Sequence, residues 1–157
     1  MRDNIISYME MCLKEGASLQ RGMNFRLHGR HSVVLMSVRQ NSPYEDRVED
    51  DGAVLIYEGH DVPRSEAPIP KNVDQAQYLP SGKPTQNGKF LQAALACKNG
   101  EKGPDLVRVY EKMLKGVWTD NGYFQLVDGW SESDGRRAVF KFKLEAVSDV
   151  ADDIAEV

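Results

Sequence analysis

The last third of the chain constrains the fold most, because it contains three segments with the composition of β-strands. The segments LVRVYEKML (106–114) and YFQLVDGW (123–130) are rich in β-branched and aromatic residues. The segment RRAVFKFKLEAV (136–147) alternates with a period of two, with Val139, Lys141 and Lys143 on one face and Phe140, Phe142 and Leu144 on the other. This period is typical of a strand with one buried face. We therefore expect both lysines in solvent, either as solubilising charges or as contacts to phosphate groups.

Two turn signals indicate how these strands are connected. TDNG (119–122) and SESDG (131–135) contain the Asn-Gly and Asp-Gly pairs that favour β-hairpins. The sequence therefore predicts an antiparallel meander with one hairpin turn at each of the two positions.

Helical periodicity occurs twice. Residues 3–15 place apolar side chains at helical spacing, with Asp3 as the expected N-cap and Gly16 as the stop. Residues 87–100 predict a second, shorter helix with Asn87 as its expected N-cap.

The remaining structured segments lie between the helices. SVVLMSVR (32–39) and GAVLIYEG (52–59) are apolar and β-rich, which predicts two buried strands. Residues 60–86 contain five prolines and no periodicity, and loops of this length in compact domains are usually functional or disordered. Two helices, five strands and this proline-rich segment predict an α+β domain around a curved, mainly antiparallel sheet or half-open barrel.

Length and charge set further limits. The 157 residues correspond to about one domain. The net charge of −4 argues against general binding of nucleic acid, which requires a basic face. Four acidic residues lie in the last ten positions, and without them the chain has 20 acidic and 20 basic residues. We therefore expect a domain at 1–147 and an acidic tail or the start of a linker at 148–157.

The sequence contains no signal for a membrane, a cofactor or a disulfide. No apolar run approaches the roughly 20 residues of a membrane-spanning helix. Cys12 and Cys97 are far apart and lack the spacing of a zinc site. A cytoplasmic location and no cofactor are therefore expected.

The acidic stretch PYEDRVEDDGAVLIYEGHD (43–61) is the most unusual part of the composition, because Tyr44 and Tyr57 bracket it in a chain with few aromatic residues. Its acidic residues between positions 45 and 51 fit a solvated turn. They also fit a divalent-metal site, since hard cations prefer clustered carboxylates.

The order of short motifs resembles one known family. HGR (28–30) precedes a strand, PYED (43–46) follows it, and the next strand ends in YEG (57–59). The chain then ends in GYFQLVDGW (122–130) and VFKFKLE (139–145). This order is similar to that of SRA (SET- and RING-associated, or SRA-YDG) domains, which show HGR, a GYEDD-like segment, a strand ending in YTG and a terminal hairpin.

The resemblance covers roughly residues 25–146 and implies both a fold and a function. SRA domains have a PUA-like crescent of twisted strands flanked by helices. They bind duplex DNA that carries 5-methylcytosine or 5-hydroxymethylcytosine and flip the modified base into a pocket. The PYED and YEG motifs are most similar to those of bacterial members that are fused to HNH nuclease domains, the modification-dependent restriction enzymes.

The resemblance also implies the residues of a base pocket. Tyr44 and Tyr57 match the two tyrosines that sandwich the flipped base, and such stacking compensates for the stacking lost in the duplex. In the family, the second Asp of the GYEDD-like segment accepts a hydrogen bond from the amino group of cytosine. That position is Arg47 here, so we assign the role to Asp46, with Glu45 as the alternative.

A second departure concerns the YEG motif, where Glu58 replaces the threonine of the family pattern. A glutamate beside the stacking ring can accept a hydrogen bond from a hydroxymethyl group, so we expect Glu58 to favour 5-hydroxymethylcytosine. Because a buried carboxylate without a partner is costly, its expected partner is either a ligand hydroxyl or a nearby base such as Arg47 or His60. The alternative is that Glu58 points outward from the strand and only forms a salt bridge.

Two loops are expected to contact DNA. The first contains His28, Gly29, Arg30 and His31 and matches the family loop that approaches the minor groove. The second is residues 60–86, which matches the base-displacing loop. Its candidates for filling the gap left by the flipped base are Arg64, Lys71, Gln77, Lys83 and Gln86.

Two functions from different classes remain open at this point. The first is a recognition module for modified cytosine in a restriction system, with the nuclease elsewhere in a longer polypeptide or on a partner. The second is a small metal-dependent hydrolase of PUA-like fold that uses the acidic residues at 45–51. No HNH or other nuclease motif is present, so no catalytic residue is assigned.

Overall fold

A computed structural model describes residues 5–37 and 46–147 of the protein. The strands are β1 (Ile5–Ile6), β2 (Met23–Asn24), β3 (Ser32–Met36), β4 (Arg47–Glu49), β5 (Val54–Glu58), β6 (Asp105–Leu114), β7 (Val117–Ser133) and β8 (Ala138–Ala146). The helices are α1 (Tyr8–Glu15) and α2 (Gln86–Lys98), and short 3-10 turns lie at Leu27–Gly29, Asp50–Gly52 and Pro70–Asn72.

All eight strands belong to one mixed sheet in the order β2-β3-β6-β7-β8-β5-β4, with β1 added to β7. Only the β3–β6 pair is parallel among the described strands. Strand pairing does not close the sheet, since β2 and β4 remain its two ends. This arrangement confirms the predicted α+β fold with a mainly antiparallel, half-open sheet.

Polar contacts link strands that are not neighbours in the sheet. The hydroxyl of Tyr57 in β5 donates to the carbonyl of Leu35 in β3 at 3.4 Å. The carboxylate of Asp46 accepts the backbone N–H of Ser37 at 3.3 Å and that of Glu58 at 2.9 Å. Because β3 and β5 are separated by three strands in the sheet order, these contacts show that the sheet curls until its ends approach one another.

Two hydrophobic clusters fix the helices on the sheet. The larger cluster includes Phe90 and Ala94 of α2 and the β8 side chains Phe140, Phe142 and Leu144. The smaller cluster joins α1 to β3, β6 and β7 through Met11, Leu19, Val33, Leu35, Tyr110 and Trp118. Full burial of each large apolar side chain contributes roughly 1.5–3 kcal/mol to stability.

The N-terminal helix is shorter than predicted, and its predicted cap is wrong. The helix begins at Tyr8, and the Ser7 hydroxyl accepts the N–H of Glu10 while the Glu10 carboxylate accepts the N–H of Ser7. This reciprocal capping box satisfies two N–H groups of the first turn. Ile5 and Ile6 instead pair with β7, and Gly16 ends the helix as predicted, with a φ of 71°.

The predicted cap of the second helix is also wrong. Thr85 is the N-cap of α2, because its hydroxyl accepts the N–H of Gly88. Asn87 is fully buried inside the first turn, and its amide bonds to the backbone of residues 60 and 76.

The TDNG segment is not a hairpin turn. It lies inside β7, which pairs with β6 through a turn between Leu114 and Val117. Between Arg108 and Tyr110 the register shifts, and the additional residues of β7 form a bulge in which Gly122 has a φ of 84°. The SESDG turn is confirmed, since the N–H of Asp134 donates to the carbonyl of Arg137.

The strict alternation of apolar and charged residues in β8 does not predict which of its lysine side chains are exposed. Lys141 is 3% exposed, although its neighbour on the same face, Lys143, keeps a side chain that is 40% exposed. The predicted solvent or phosphate role of Lys141 is therefore wrong, because this end of the face is covered by the segment that follows β5.

No helix within residues 5–37 and 46–147 has the length and apolarity needed to cross a membrane.

Candidate nucleic-acid interface

Asp46 is the central titratable group of the candidate site. Its two carboxylate oxygens each accept one backbone N–H, from Glu58 and from Ser37. Burial raises the pKa of Asp46 to about 7, and the two backbone hydrogen bonds oppose that shift only in part. The nearby carboxylate of Glu58 raises the pKa further, and the Lys141 ammonium lowers it. Each carboxylate oxygen keeps one free lone-pair direction, so the group can accept further donors.

Tyr57 precedes Glu58 in β5, and its side chain lies on the interior face of the sheet. Its side chain is in the larger hydrophobic cluster, and only 3% of the residue is exposed. Tyr44 and Glu45 lie outside the described residues, so the predicted pairing of two tyrosine rings stays a prediction. Of the predicted pocket residues, Asp46 contacts the backbone of Glu58, whereas the side chains of Tyr57 and Glu58 lie on opposite faces of β5.

The side chain of Glu58 points to the other face of the sheet, because successive residues of a strand alternate. There its carboxylate lies 3.6 Å from the Arg137 guanidinium and 3.8 Å from the Lys141 ammonium. It also accepts a hydrogen bond from the Gln75 amide at 3.0 Å. The expected partners Arg47 and His60 are therefore wrong.

The glycine of the YEG motif has a packing reason. A Cβ on Gly59 would lie 2.4 Å from the amide oxygen of Asn87, which is too close for any side chain. That oxygen accepts the N–H of His60 at 3.0 Å, and the Asn87 amide nitrogen donates to the carbonyl of His60 at 2.9 Å. The start of the proline-rich segment is thus fixed against α2.

The proline-rich segment is held by hydrogen bonds and ion pairs near its start and near its middle. Gln75 is 4% exposed and pairs with the β8 backbone at Ala138 and Phe140. Near the start of the segment, Asp61 accepts Arg137 at 2.8 Å and Lys71 at 3.0 Å. Burial would raise the pKa of Asp61, but these two cations and Gln75 outweigh it and lower the pKa.

These contacts show which of the five side chains proposed to fill the gap in the duplex already have partners within the protein. Lys71 is paired, the Gln86 amide oxygen accepts the N–H of Phe25 at 2.7 Å, and the Gln77 amide lies 3.5 Å from a tyrosine hydroxyl. Arg64 and Lys83 are exposed, and neither side chain has a partner within residues 5–37 and 46–147. Arg64 stands on a turn in which the N–H of Glu66 donates to the carbonyl of Pro63 at 2.9 Å.

The HGRH loop is fixed against the end of α1. The His28 ring nitrogen lies 3.0 Å from the carbonyl of Gly16, and the Arg30 guanidinium donates to the carbonyl of Glu15 at 3.3 Å. His28 has a φ of 51° and Gly29 a φ of 75°, so the loop follows a tight left-handed path. His28, Gly29 and Arg30 are exposed.

His31 differs from the rest of this loop because it points inward. Its Nε2 lies 2.6 Å from a carboxylate oxygen of Glu15, and its ring meets that of Tyr123 edge to face. The other oxygen of Glu15 accepts the Tyr110 hydroxyl at 2.5 Å. Glu15 is 2% exposed, and its position at the end of an amphipathic helix does not predict this burial.

A second ion cluster lies beside Glu15. The guanidinium of Arg108 contacts both Glu15, at 3.8 Å, and Asp120, and Lys14 binds Asp120 at 2.8 Å. Burial would raise the pKa of Asp120, but the hydrogen bonds from Arg108 and Lys14 outweigh it and lower the pKa to about 2. The cluster fixes the β7 bulge against α1.

Two clefts lie among the described residues, and Tyr57 lines neither of them. One, of about 360 Å³, is lined by Arg21, Met23, His60, Val62, Glu66, Lys89 and neighbouring residues. The other, of about 370 Å³, is lined by Met36, Val48, Leu55, Val109, Phe124 and the polar residues Glu111, Asp120 and Asn121. The first cleft approaches Tyr57 at Gly22, between Arg21 and Met23, because a Cβ added there would lie 3.3 Å from the Tyr57 hydroxyl. The second cleft approaches it at Leu55, which lies on the same face of β5 as Tyr57.

The acidic residues at 49–51 do not converge. They are exposed, and Glu49 pairs with Arg47 at 3.3 Å. Across the part of the chain that the structure describes, no group of three or more His, Cys, Asp or Glu residues could hold a metal ion.

Comparison with known proteins gives matches at the level of structure. No protein-family profile and no curated protein matches the sequence. The SUVH5 SRA domain in complex with hemi-methylated CG DNA aligns with a TM-score of 0.62 at 23% identity, over 92% of this chain and 86% of that chain. The SUVH5 SRA domain bound to fully hydroxymethylated CG DNA aligns with a TM-score of 0.62 at 23% identity, over 92% and 87%.

A third match is the modification-dependent TagI restriction endonuclease, with a TM-score of 0.55 and 18% identity over 96% of this chain and 52% of that chain. The protein therefore has the fold of an SRA domain, as the motif order predicted. Within that fold class, it matches about half the length of a restriction endonuclease.

Proposed function

We propose that the protein recognises modified cytosine in duplex DNA by taking the base out of the stack. The observation that carries this proposal is Asp46 in an SRA fold, a carboxyl group that accepts the backbone N–H groups of Ser37 and of Glu58, the residue that follows Tyr57 in β5. The similar SRA domains of SUVH5 are bound to methylated and hydroxymethylated DNA, which supports the same class of ligand here.

The chemistry of the carboxyl group suits cytosine. The base presents an amino donor on its Watson–Crick edge, where thymine presents a carbonyl acceptor. The free lone pairs of Asp46 attract the donor and repel the carbonyl. Because the pKa of Asp46 is raised to about 7, its protonated form is also available near neutral pH and can donate to the ring nitrogen N3.

Stacking would offset the cost of flipping. Unstacking a base costs a few kcal/mol, and an aromatic side chain recovers about 1–3 kcal/mol per base. Tyr57, with Tyr44 as its partner, is the proposed stacking pair. Since Tyr57 is only 3% exposed, a base can reach its ring only when part of its covering moves aside.

The remaining assignments follow from which side chains are available. Arg64 is proposed to fill the gap in the duplex, with Lys83 as a second exposed cation. His28, Gly29 and Arg30 are proposed to contact DNA through their exposed loop, whereas His31 fixes that loop to α1. Lys71 acts within the protein through Asp61, and Glu58 acts through Arg137 and Lys141 rather than on the base.

We further propose that the chain is a recognition module and not a nuclease. Cleavage would be supplied by a nuclease domain or partner, as the match to part of a restriction endonuclease suggests. The alternative of a metal-dependent hydrolase receives no support from the exposed residues at 49–51.

A panel of matched duplexes tests the proposal. Duplexes that differ only at one cytosine, carrying cytosine, 5-methylcytosine, 5-hydroxymethylcytosine or glucosylated cytosine, would be titrated in EDTA at several salt concentrations. We expect preference for at least one modified duplex and steep weakening of binding with salt, because phosphate contacts release counterions. Equal binding to all four duplexes, or a flat salt dependence, would refute the proposal. Incubation with Mg²⁺ or Mn²⁺ should produce no cleavage.

A further inference from the structure

A single buried arginine holds both ends of the loop that carries Arg64. The Arg137 guanidinium lies 2.8 Å from the carboxylate of Asp61, where the loop starts. It also donates to the carbonyls of Pro70 and Val73 at 3.2 Å each, where the loop returns. Residues 62–69 therefore form a loop whose two ends are joined by Arg137, and the ion pair of Lys71 with Asp61 at 3.0 Å closes the same base.

The same guanidinium connects this loop to the strand of the candidate base pocket. It lies 3.6 Å from the carboxylate of Glu58, whose backbone N–H binds Asp46. Gln75 donates to both Glu58, at 3.0 Å, and Asp61, at 3.3 Å. The side chains of Arg137 and Glu58 are 4% and 6% exposed, so these contacts are largely shielded from solvent.

We propose that Arg137 is a positioning residue that sets the place of the 62–69 loop relative to Asp46, and thereby determines how strongly the protein prefers a flipped, modified cytosine. This inference rests on the proposed function. Arg137 itself does not touch the base. It acts on the base-reading carboxyl through Glu58 and on Arg64 through the two ends of the loop.

Lysine cannot replace arginine at this position. The guanidinium is a planar fork with five N–H donors, so one side chain can reach two carboxylates and two carbonyls in fixed directions. A lysine ammonium has three donors on a flexible stem, and it cannot make all these contacts at once. Arg137→Lys keeps the charge and removes the geometry, which makes it the informative change.

The matched control is the adjacent Arg136, which is exposed. Arg136→Lys makes the same chemical change outside the network. For both variants, hydrogen exchange would be measured for the amides between Arg64 and Ile69, with the β7 and β8 amides reporting on the integrity of the fold. Affinity would be measured for one modified and one unmodified duplex, and 2-aminopurine next to the modified base would report on flipping.

For Arg137→Lys we expect exchange in the loop to become about tenfold faster or more, as one charged hydrogen bond is worth on the order of a factor of ten. The ratio of affinities for modified and unmodified duplex should fall by a similar factor, and the 2-aminopurine signal at saturation should decrease. Arg136→Lys should leave all three within about twofold. Asp61→Asn weakens the ion pairs of Asp61 with Arg137 and Lys71 and leaves the Arg137 bonds to the loop carbonyls, and it should change loop exchange and affinity ratio in the same direction.

Two results would overturn the inference. Unchanged exchange in the loop would show that Arg137 does not hold it, and faster exchange with an unchanged affinity ratio would make its role purely structural. If Arg137→Lys does not fold, Asp61→Asn decides by the same criteria. If the unaltered protein prefers no modified duplex, the proposed function fails while the exchange data still decide whether Arg137 holds the loop.

Discussion

The raised pKa of Asp46 predicts a specific dependence of stability on pH. An unfolded aspartate titrates near 3.9, whereas burial raises the pKa of Asp46 in the folded protein to about 7. Between these values the folded state binds more protons than the unfolded state. The stabilising contribution of the protonated carboxyl is therefore complete below about pH 4 and is lost as the pH rises through about 7.

The expected magnitude follows from 1.36 kcal/mol per pKa unit. From pH 5 to pH 8 this single group should lower the free energy of unfolding by roughly 2–3 kcal/mol. Asp46→Asn removes the titration, so the difference between the variant and the unaltered protein should change by that amount across this range. Urea denaturation at several pH values measures both curves.

A control separates this effect from other titrations. Asp134 is exposed, and backbone hydrogen bonds from Arg137 and Arg136 lower its pKa, so the Asp134→Asn curve should run parallel to that of the unaltered protein above pH 5. If the Asp46→Asn curve is also parallel, to within about 0.5 kcal/mol, the carboxyl is not protonated in the folded state and the reasoning fails. A carbon NMR titration of the Asp46 carboxyl gives the same answer without a variant.

Three further changes test individual contacts. Glu15→Gln should destabilise the protein by about 1–3 kcal/mol, because buried donors lose a charged acceptor. The control Glu101→Gln, at an exposed position, should change stability by less than about 0.5 kcal/mol. Equal thermal stability of the two variants would contradict this prediction. Lys141→Met should likewise cost about 1–3 kcal/mol by leaving a buried carboxylate less well paired, and Lys143→Met on the same strand face should cost far less in urea denaturation. Tyr57→Phe should keep affinity for modified duplex, whereas Tyr57→Leu should lose about 1–3 kcal/mol of binding through lost stacking; equal losses would exclude a stacking role.

Local sequence patterns were sufficient to predict the helices and strands that have strong periodicity. Phe140, Phe142 and Leu144 alternate in sequence and face one cluster in the structure, because the side-chain period of a strand depends on backbone geometry alone. Gly16 ends α1 with a positive φ, a conformation that glycine adopts without cost. The N-cap was not predicted correctly, because the structure uses Ser7 and Glu10 as a capping box instead of Asp3.

The TDNG segment shows where local patterns mislead. An Asn-Gly pair favours a positive φ, and Gly122 has one, but this conformation serves a bulge as well as a turn. The choice between the two depends on the pairing with β6 and on the contacts of Asp120 with Lys14 and Arg108. Those partners are distant in sequence.

The sequence by itself determined the five longer strands, the two helices and, through the order of its motifs, the SRA fold, whereas β1, β2 and β4 were not predicted. Only the tertiary structure decided the partners of the charged residues: Glu58 meets Arg137 and Lys141, and His31 meets Glu15. The physical reason is that hydrophobic periodicity is a property of neighbouring residues. The pairing of buried charges depends instead on which distant segments cover a given face, and here a proline-rich loop without periodicity covers the face that contains Lys141.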